Sequence, residues 1–320
     1  MDSTPSTPVR GHLRLVGKRR ISHGLYDDLV EDQHDDAQFV SDLKAYLLVL
    51  PESAVFTSVT AARVLGWRLP QLPDHVPVFA AVHQKDRRPR RAGLVCSRLV
   101  GPREAQDRRQ LPLDTPTEIL LRAARDFGVL DVVIMIDSAL QLGHLDPEAM
   151  EQLLRSGRPG VRVLRAAWRL SHRQTESAGE TVLRVLHRVL GVLVEPQAVL
   201  HDDEGRVVGR ADLRLTGTRR VHEYDGGVHR DKAQHRADLR RERGLREAAY
   251  ERGGYTLDDL LNHPVVVMHE IDRALDRPHD VRRLDTWRRL VEDSMYGATG
   301  RARVRDRWRR WGDFVVLRVG

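Results

Sequence analysis

A single cysteine, Cys96, in 320 residues rules out an internal disulfide framework and a cysteine-built zinc site. Aromatic residues make up only 5% of the chain. That is too sparse for the ring platforms a sugar would stack on, which sets a glycosidase far behind despite the paired carboxylates. No apolar run approaches the roughly 20 residues a membrane helix needs. The most hydrophobic stretch, Val129 to Leu142, is interrupted by Asp131 and Asp137. Met1 to Arg10 is rich in Ser, Thr and Pro without an apolar core, so it does not read as a secretory signal, and a cytosolic location with no membrane partner is expected. There is no Gly-rich phosphate loop and no internal repeat. Lysine occurs only at positions 18, 44, 85 and 232, so arginine carries nearly all the positive charge.

What the chain has is charge and enough apolar content for real cores: 31% charged residues, 41% hydrophobic residues and a formal net charge of +7. The positive balance points to a polyanion such as DNA, although arginine richness is also what a GC-rich genome produces. The length is comfortable for two domains. Residues 1–20 read as a disordered basic tail ending in Lys18-Arg19-Arg20, either a nucleic-acid arm or a solvated terminus. Phe39, Leu43, Tyr46, Leu47 and Leu50 share one helical stripe that Pro51 stops. Ser58 to Trp67 reads as a short helix with Ser58 as N-cap. Two β-rich runs follow, Val76 to Val82 and Gly93 to Leu99, joined by a basic turn. Helices followed by a two-stranded ribbon suit a winged-helix-like DNA- or partner-binding region over residues 21–112. In it Arg87, Arg88, Arg90 and Arg91 would meet phosphates, or simply keep a hairpin loop soluble.

Residues 113–170 predict a helical connector. Asp114 is placed to cap its first helix, Val129 to Leu142 forms the central one, Asp146 caps a third, and a fourth runs from Val161 to Leu170. Ser177 and Glu180 form a capping box for the next helix, which runs to Leu190. Three strands are then expected, Val194 to His201, Arg206 to Leu215 and Arg219 to Tyr224, with Asp202-Asp203-Glu204-Gly205 as a tight hairpin turn. A helix from Asp231 to Tyr250 and a last strand near Tyr250 to Thr256 complete an order of one helix, three strands, one helix and one strand. Two helices around Pro264 close this region. Residues 279–320 form an Arg- and Trp-rich extension that either packs through its tryptophans or stacks on bases.

The residues with chemistry converge on the strands. Side chains alternate along a strand, so Glu223 and Asp225 face one side, and a turn at Gly217 brings Asp212 alongside. His222 alternates to the opposite side. Acids sharing one place repel each other unless a cation holds them, and hard oxygen ligands suit Mg2+ or Mn2+.

The order Asp212, then Glu223-Tyr224-Asp225-Gly226 with His229, then Asp238-Leu239-Arg240-Arg241 resembles the DUF559 group. That group is related to the very-short-patch repair endonuclease within the PD-(D/E)xK restriction-like nuclease superfamily. The resemblance covers about residues 171 to 275. It implies an α/β fold with a C-terminal restriction-endonuclease-like αβββαβ core over residues 171–278, preceded by a mostly helical N-terminal part with a small β-ribbon. It implies a Mg2+- or Mn2+-dependent endonuclease or nickase acting on DNA. Asp212, Glu223 and the Tyr224 carbonyl would be the metal ligands, and Asp225, His229 and Glu180 would be further catalytic groups. Arg210, Asp238, Arg240 and Arg241 would face substrate. Asp225 stands where the superfamily usually places a lysine. A second resemblance, confined to Thr57 to Pro70, is to antitoxins of type IV abortive-infection systems, and it implies a non-catalytic DNA-binding regulator. A protein partner or a second copy of the chain fits either reading.

Overall fold

In a computed structural model of the chain, residues 8–11, 17–28, 35–99, 105–226, 245 and 247–310 are described. The first sheet contains β1 (Val9–Arg10), β2 (Lys18–Ser22) and β3 (Leu25–Asp28), in the order β1-β3-β2 and antiparallel throughout. This corrects the expectation of a disordered basic tail where residues 9–10 and 18–20 are concerned. Ile21 and Leu25 are buried, while Lys18 reaches Asp28 at 2.6 Å and Arg19 pairs with the buried Asp42 of α1 (Asp35–Leu47). The basic run is thus the polar part of a strand whose apolar residues enter the core.

The second sheet also departs from the sequence expectation. It contains β4 (Val55–Phe56), β5 (Val78–Val82), β6 (Leu94–Arg98), β7 (Gln106–Arg108) and β8 (Leu111–Leu113), in the order β6-β5-β4-β8-β7. β5 and β6 are parallel, so they do not form the ribbon of a winged helix. Parallel neighbours need a crossover instead of a tight turn, and residues 83–93 supply it. His83 O and Asp86 O accept from Arg98 at 2.8 and 2.6 Å, and Arg91 donates to His23 O, which ties Arg91 to the first sheet. Among the described residues eight strands precede residue 114, more than the small β-ribbon expected. α2 (Ser58–Val64) is capped at Thr57, not at Ser58.

The helical block follows as expected: α3 (Pro116–Ala123), α4 (Val129–Gln141), α5 (Pro147–Leu154) and α6 (Val161–Leu170). α4 is buried along nearly its whole length, and the two acids that interrupt its apolar run are joints. Asp131 accepts the Gly128 and Met295 amides at 3.0 Å each; its burial pushes its pKa up to about 7. Asp137 accepts from His172 N (2.7 Å), Thr181 Oγ1 (2.8 Å) and Arg184 (2.6 Å). Asp114 does not cap α3; Thr115 holds that position. The buried Asp114 carboxylate instead accepts from Thr57 Oγ1 and Arg122 Nε, both at 2.9 Å.

Beyond this block lie α7 (Ala178–Val189) and a four-stranded sheet of β9 (Val194–His201), β10 (Val207–Leu215), β11 (Arg220–Tyr224) and β12 (Glu251–Tyr255). Its order is β12-β11-β10-β9, antiparallel except for the parallel pair β11 and β12. The turn at 202–205 forms as expected, with the Asp202 carboxylate accepting the Glu204 and Arg206 amides. The helix expected over 231–250 falls largely outside the described residues. α8 (Leu257–Asn262) and α9 (Pro264–Ala274) meet at Pro264, followed by α10 (Asp285–Glu292) and α11 (Ala298–Arg309). Trp287 and Trp308 are buried, each donating its indole N–H, to Leu260 O and to Asp126 respectively. These two tryptophans therefore pack; Trp311 lies outside the described residues. One apolar cluster runs from Ile21 to Trp308. Among the described residues no helix is long and apolar enough to cross a membrane.

Candidate functional site

The mixed sheet positions the acids. β10 and β11 are antiparallel, with Leu213 opposite His222 and Arg214 opposite Val221. Continuing that register by one residue sets Asp212 against Glu223. There the Tyr224 amide donates to Asp212 Oδ2 at 2.8 Å. A side-chain carboxylate thus takes a backbone group of the neighbouring strand and fixes the Asp212 side chain against β11.

Glu223 is buried, and Arg252 Nε lies 2.5 Å from its Oε2. The parallel register explains the meeting: Arg252 stands opposite Val221, two residues before Glu223 and on the same face of the sheet. Asp225 shares that face by alternation but is exposed, and its amide donates to Tyr255 O at 2.8 Å. The Tyr224 ring turns the other way and lies on α7, where a Cβ at Gly179 would fall 2.2 Å from the ring. Burial, then the Asp225 charge, raises the Tyr224 hydroxyl above its usual pKa.

Glu180 is placed by the first turn of α7. Ser177 Oγ accepts the Glu180 amide at 3.1 Å, as the capping box predicts, but the Glu180 carboxylate accepts Glu176 N, not the Ser177 amide. The same Oε2 accepts Gln197 Nε2 of β9 at 2.8 Å, so this carboxylate joins α7 to the sheet. Arg210 makes a half-exposed ion pair with Glu176 at 2.8 Å. His229, Asp238, Arg240 and Arg241 lie outside the described residues.

His222 is on the opposite face, as expected, and is wholly buried against α7. Arg252 is the residue that sequence reading missed. Its position in a predicted strand was visible, but its meeting with Glu223 depends on the parallel register of two strands about 30 residues apart in the chain.

Two carboxylates and the Tyr224 carbonyl are hard oxygen donors, the kind that Mg2+ or Mn2+ prefers. Both carboxylates also accept from protein donors, Asp212 from the Tyr224 amide and Glu223 from Arg252. Among the described residues no group of three or more His, Cys, Asp and Glu side chains is gathered as a metal site. Asp212, Glu223 and the Tyr224 carbonyl match such an ion in donor type alone. Comparisons of the chain with protein-family models, curated proteins and solved structures find no match.

Proposed function

We propose that α7, the mixed sheet and the helices that follow it form a restriction-endonuclease-like unit that hydrolyses phosphodiester bonds of DNA with Mg2+ or Mn2+. The observation that carries this reading is the placement of Asp212 and Glu223 at matching positions on neighbouring strands, in an order of one helix and three antiparallel strands with a fourth, β12, returning parallel to β11. Asp212, Glu223 and the Tyr224 carbonyl would hold the ion, which would acidify a water and relieve charge on the scissile phosphate. The chain does the rest. The Tyr224 amide keeps Asp212 oriented. Arg252 pairs with the buried Glu223 and brings a fixed positive charge to the face that a phosphate would approach. Asp225, exposed on the same face, would orient the attacking water. The net charge of +7 favours the polyanionic substrate.

The second reading is a DNA-binding regulator whose site is idle, and the Glu223–Arg252 ion pair favours it, because the guanidinium already balances the acid. Conversion of supercoiled plasmid to nicked or linear DNA separates the two. On the nuclease reading the wild type cuts in Mg2+ or Mn2+ and Glu223→Ala does not. Salt-dependent DNA binding without cleavage by either protein supports the regulator.

A further inference from the structure

A cavity of about 270 Å³ opens between the second sheet and the C-terminal helix α11, away from the carboxylates of β10 and β11. Five arginines line it, Arg88, Arg98, Arg122, Arg125 and Arg307, with one carboxylate, Asp126. Asp126 is already engaged: Arg307 Nε lies 2.5 Å from its Oδ1, and Trp308 donates to its Oδ2 at 3.0 Å. Arg122 is balanced from behind by Asp114 and Glu118. Arg98 and Arg125 are different, because they donate to backbone carbonyls, Arg98 to His83 O and Asp86 O and Arg125 to Pro159 O. A carbonyl satisfies a donor without cancelling its charge. Burial, followed by the like charges of Arg122 and Arg158, lowers the pKa of Arg125, a sign of positive charge packed beyond what its neighbours balance.

Ser58 supplies an independent observation. It lines the same cavity, is 1% exposed, and its Oγ has no hydrogen-bond partner. Leaving a buried hydroxyl without a partner is unfavourable, because its lost hydration is not replaced. Its backbone is also left-handed, with φ of 51°, a conformation that a non-glycine residue adopts only where its surroundings impose it. Both costs fall on one residue, and that residue lines the same cavity as the arginines.

The remaining walls are apolar: Phe79, Val95 and Trp308, with the Phe79 and Trp308 rings edge-on at 5.4 Å. Cys96 also lines the cavity, but burial pushes its thiol up to about 11, so it offers a neutral surface and no thiolate. Guanidinium forks match the oxygens of a phosphate in pairs. The volume of about 270 Å³ lies just below the usual span of ligand pockets, roughly 300–1,000 Å³, so it suits only a small ligand.

We infer that this cavity binds a phosphomonoester carried on a flat ring, of the size of a nucleoside monophosphate. The phosphate sits among Arg98, Arg125 and the Ser58 hydroxyl, and the ring lies against Phe79, Val95 and Trp308. The inference is independent of the nuclease reading.

The test is calorimetric titration of the full-length protein with a nucleoside 5′-monophosphate, the same nucleoside without phosphate, and inorganic phosphate. Saturable binding of the monophosphate is expected at one site per chain, with the nucleoside and phosphate alone each at least tenfold weaker. Arg125→Gln is expected to weaken binding at least tenfold. Ser58→Gly suits the left-handed backbone, so it should keep or raise the melting temperature while weakening binding severalfold, which separates loss of ligand from loss of fold. Three results overturn the inference: no saturable binding at millimolar monophosphate, binding equal to that of phosphate alone, or binding unchanged in both variants.

Discussion

His187 Nε2 and His222 Nδ1 meet at 2.7 Å inside the protein and join α7 to β11. His187 Nδ1 lies 2.8 Å from Leu183 O, which can only accept, so the proton of His187 is on Nδ1. Its Nε2 must then accept from His222 Nδ1–H. His222 Nε2 is left as an acceptor, which Arg220 Nε approaches at 3.4 Å, while the Tyr255 hydroxyl, 3.3 Å away, donates to Glu270. Both imidazoles are therefore neutral, each with one assigned tautomer.

Acid should loosen this joint. Burial lowers His187 to about 4; for His222, burial first and then His187 and Arg220 act in the same direction. The unfolded chain takes up these protons below its usual histidine pKa of about 6.5, and the fold does not. The contribution is complete above about 6.5 and is lost as pH falls toward about 4. Its slope approaches about 1.4 kcal/mol per pH unit for each histidine. Asp131, raised to about 7, acts in the opposite sense over the same range, so the histidine effect must be read as a difference. Urea midpoints of wild type and His187→Leu/His222→Leu between pH 4 and 7 are expected to differ in slope in that direction.

Arg252→Met should expose the divalent-ion affinity of Glu223. The variant leaves a carboxylate that is 7% exposed without this guanidinium, and a stability loss of about 1–3 kcal/mol is expected. Millimolar Mg2+ or Mn2+ should recover part of the melting temperature in Arg252→Met and none of it in Arg252→Met/Glu223→Gln.

Gly179→Ala should destabilise by about 1–3 kcal/mol, because a methyl group at 2.2 Å from the Tyr224 ring forces the ring off α7. The sign should reverse once the ring is gone. In a Tyr224→Ala background, Gly179→Ala is expected to stabilise by up to about 1 kcal/mol through helix propensity. A four-protein thermal cycle checks it.

Asp137→Ala should cost about 3–5 kcal/mol, since Arg184 is 2% exposed and would lose its carboxylate partner. The His172 amide and the Thr181 hydroxyl would lose the same acceptor. Denaturant unfolding measures the loss.

The sequence by itself determined the local elements whose signals are short-range. A long apolar run marked α4, the Ser177 and Glu180 capping signal marked α7, Pro264 marked the junction of α8 and α9, and Asp202 to Gly205 marked the hairpin turn. Period-two alternation placed Asp212 and Glu223 on strands, with Asp225 just past the end of the second, and set His222 on the opposite face, because alternation is a property of the backbone alone.

Partnership between distant segments was decided only by the tertiary structure. Val78–Val82 and Leu94–Arg98 looked like a hairpin because they are close in sequence, yet they pair in parallel through a crossover. Lys18-Arg19-Arg20 looked like a solvated tail because its acidic partners, Asp28 and Asp42, are not marked as partners by any local pattern. Asp131 and Asp137 looked like interruptions of an apolar run, and they prove to be joints to Met295 and Arg184. The meeting of Arg252 with Glu223 and the gathering of arginines from β6, α3 and α11 around one cavity have the same origin. A charge or a hydrogen-bonding group acquires its role from whatever the fold brings within about 3 Å, and no local pattern in the chain specifies that neighbour.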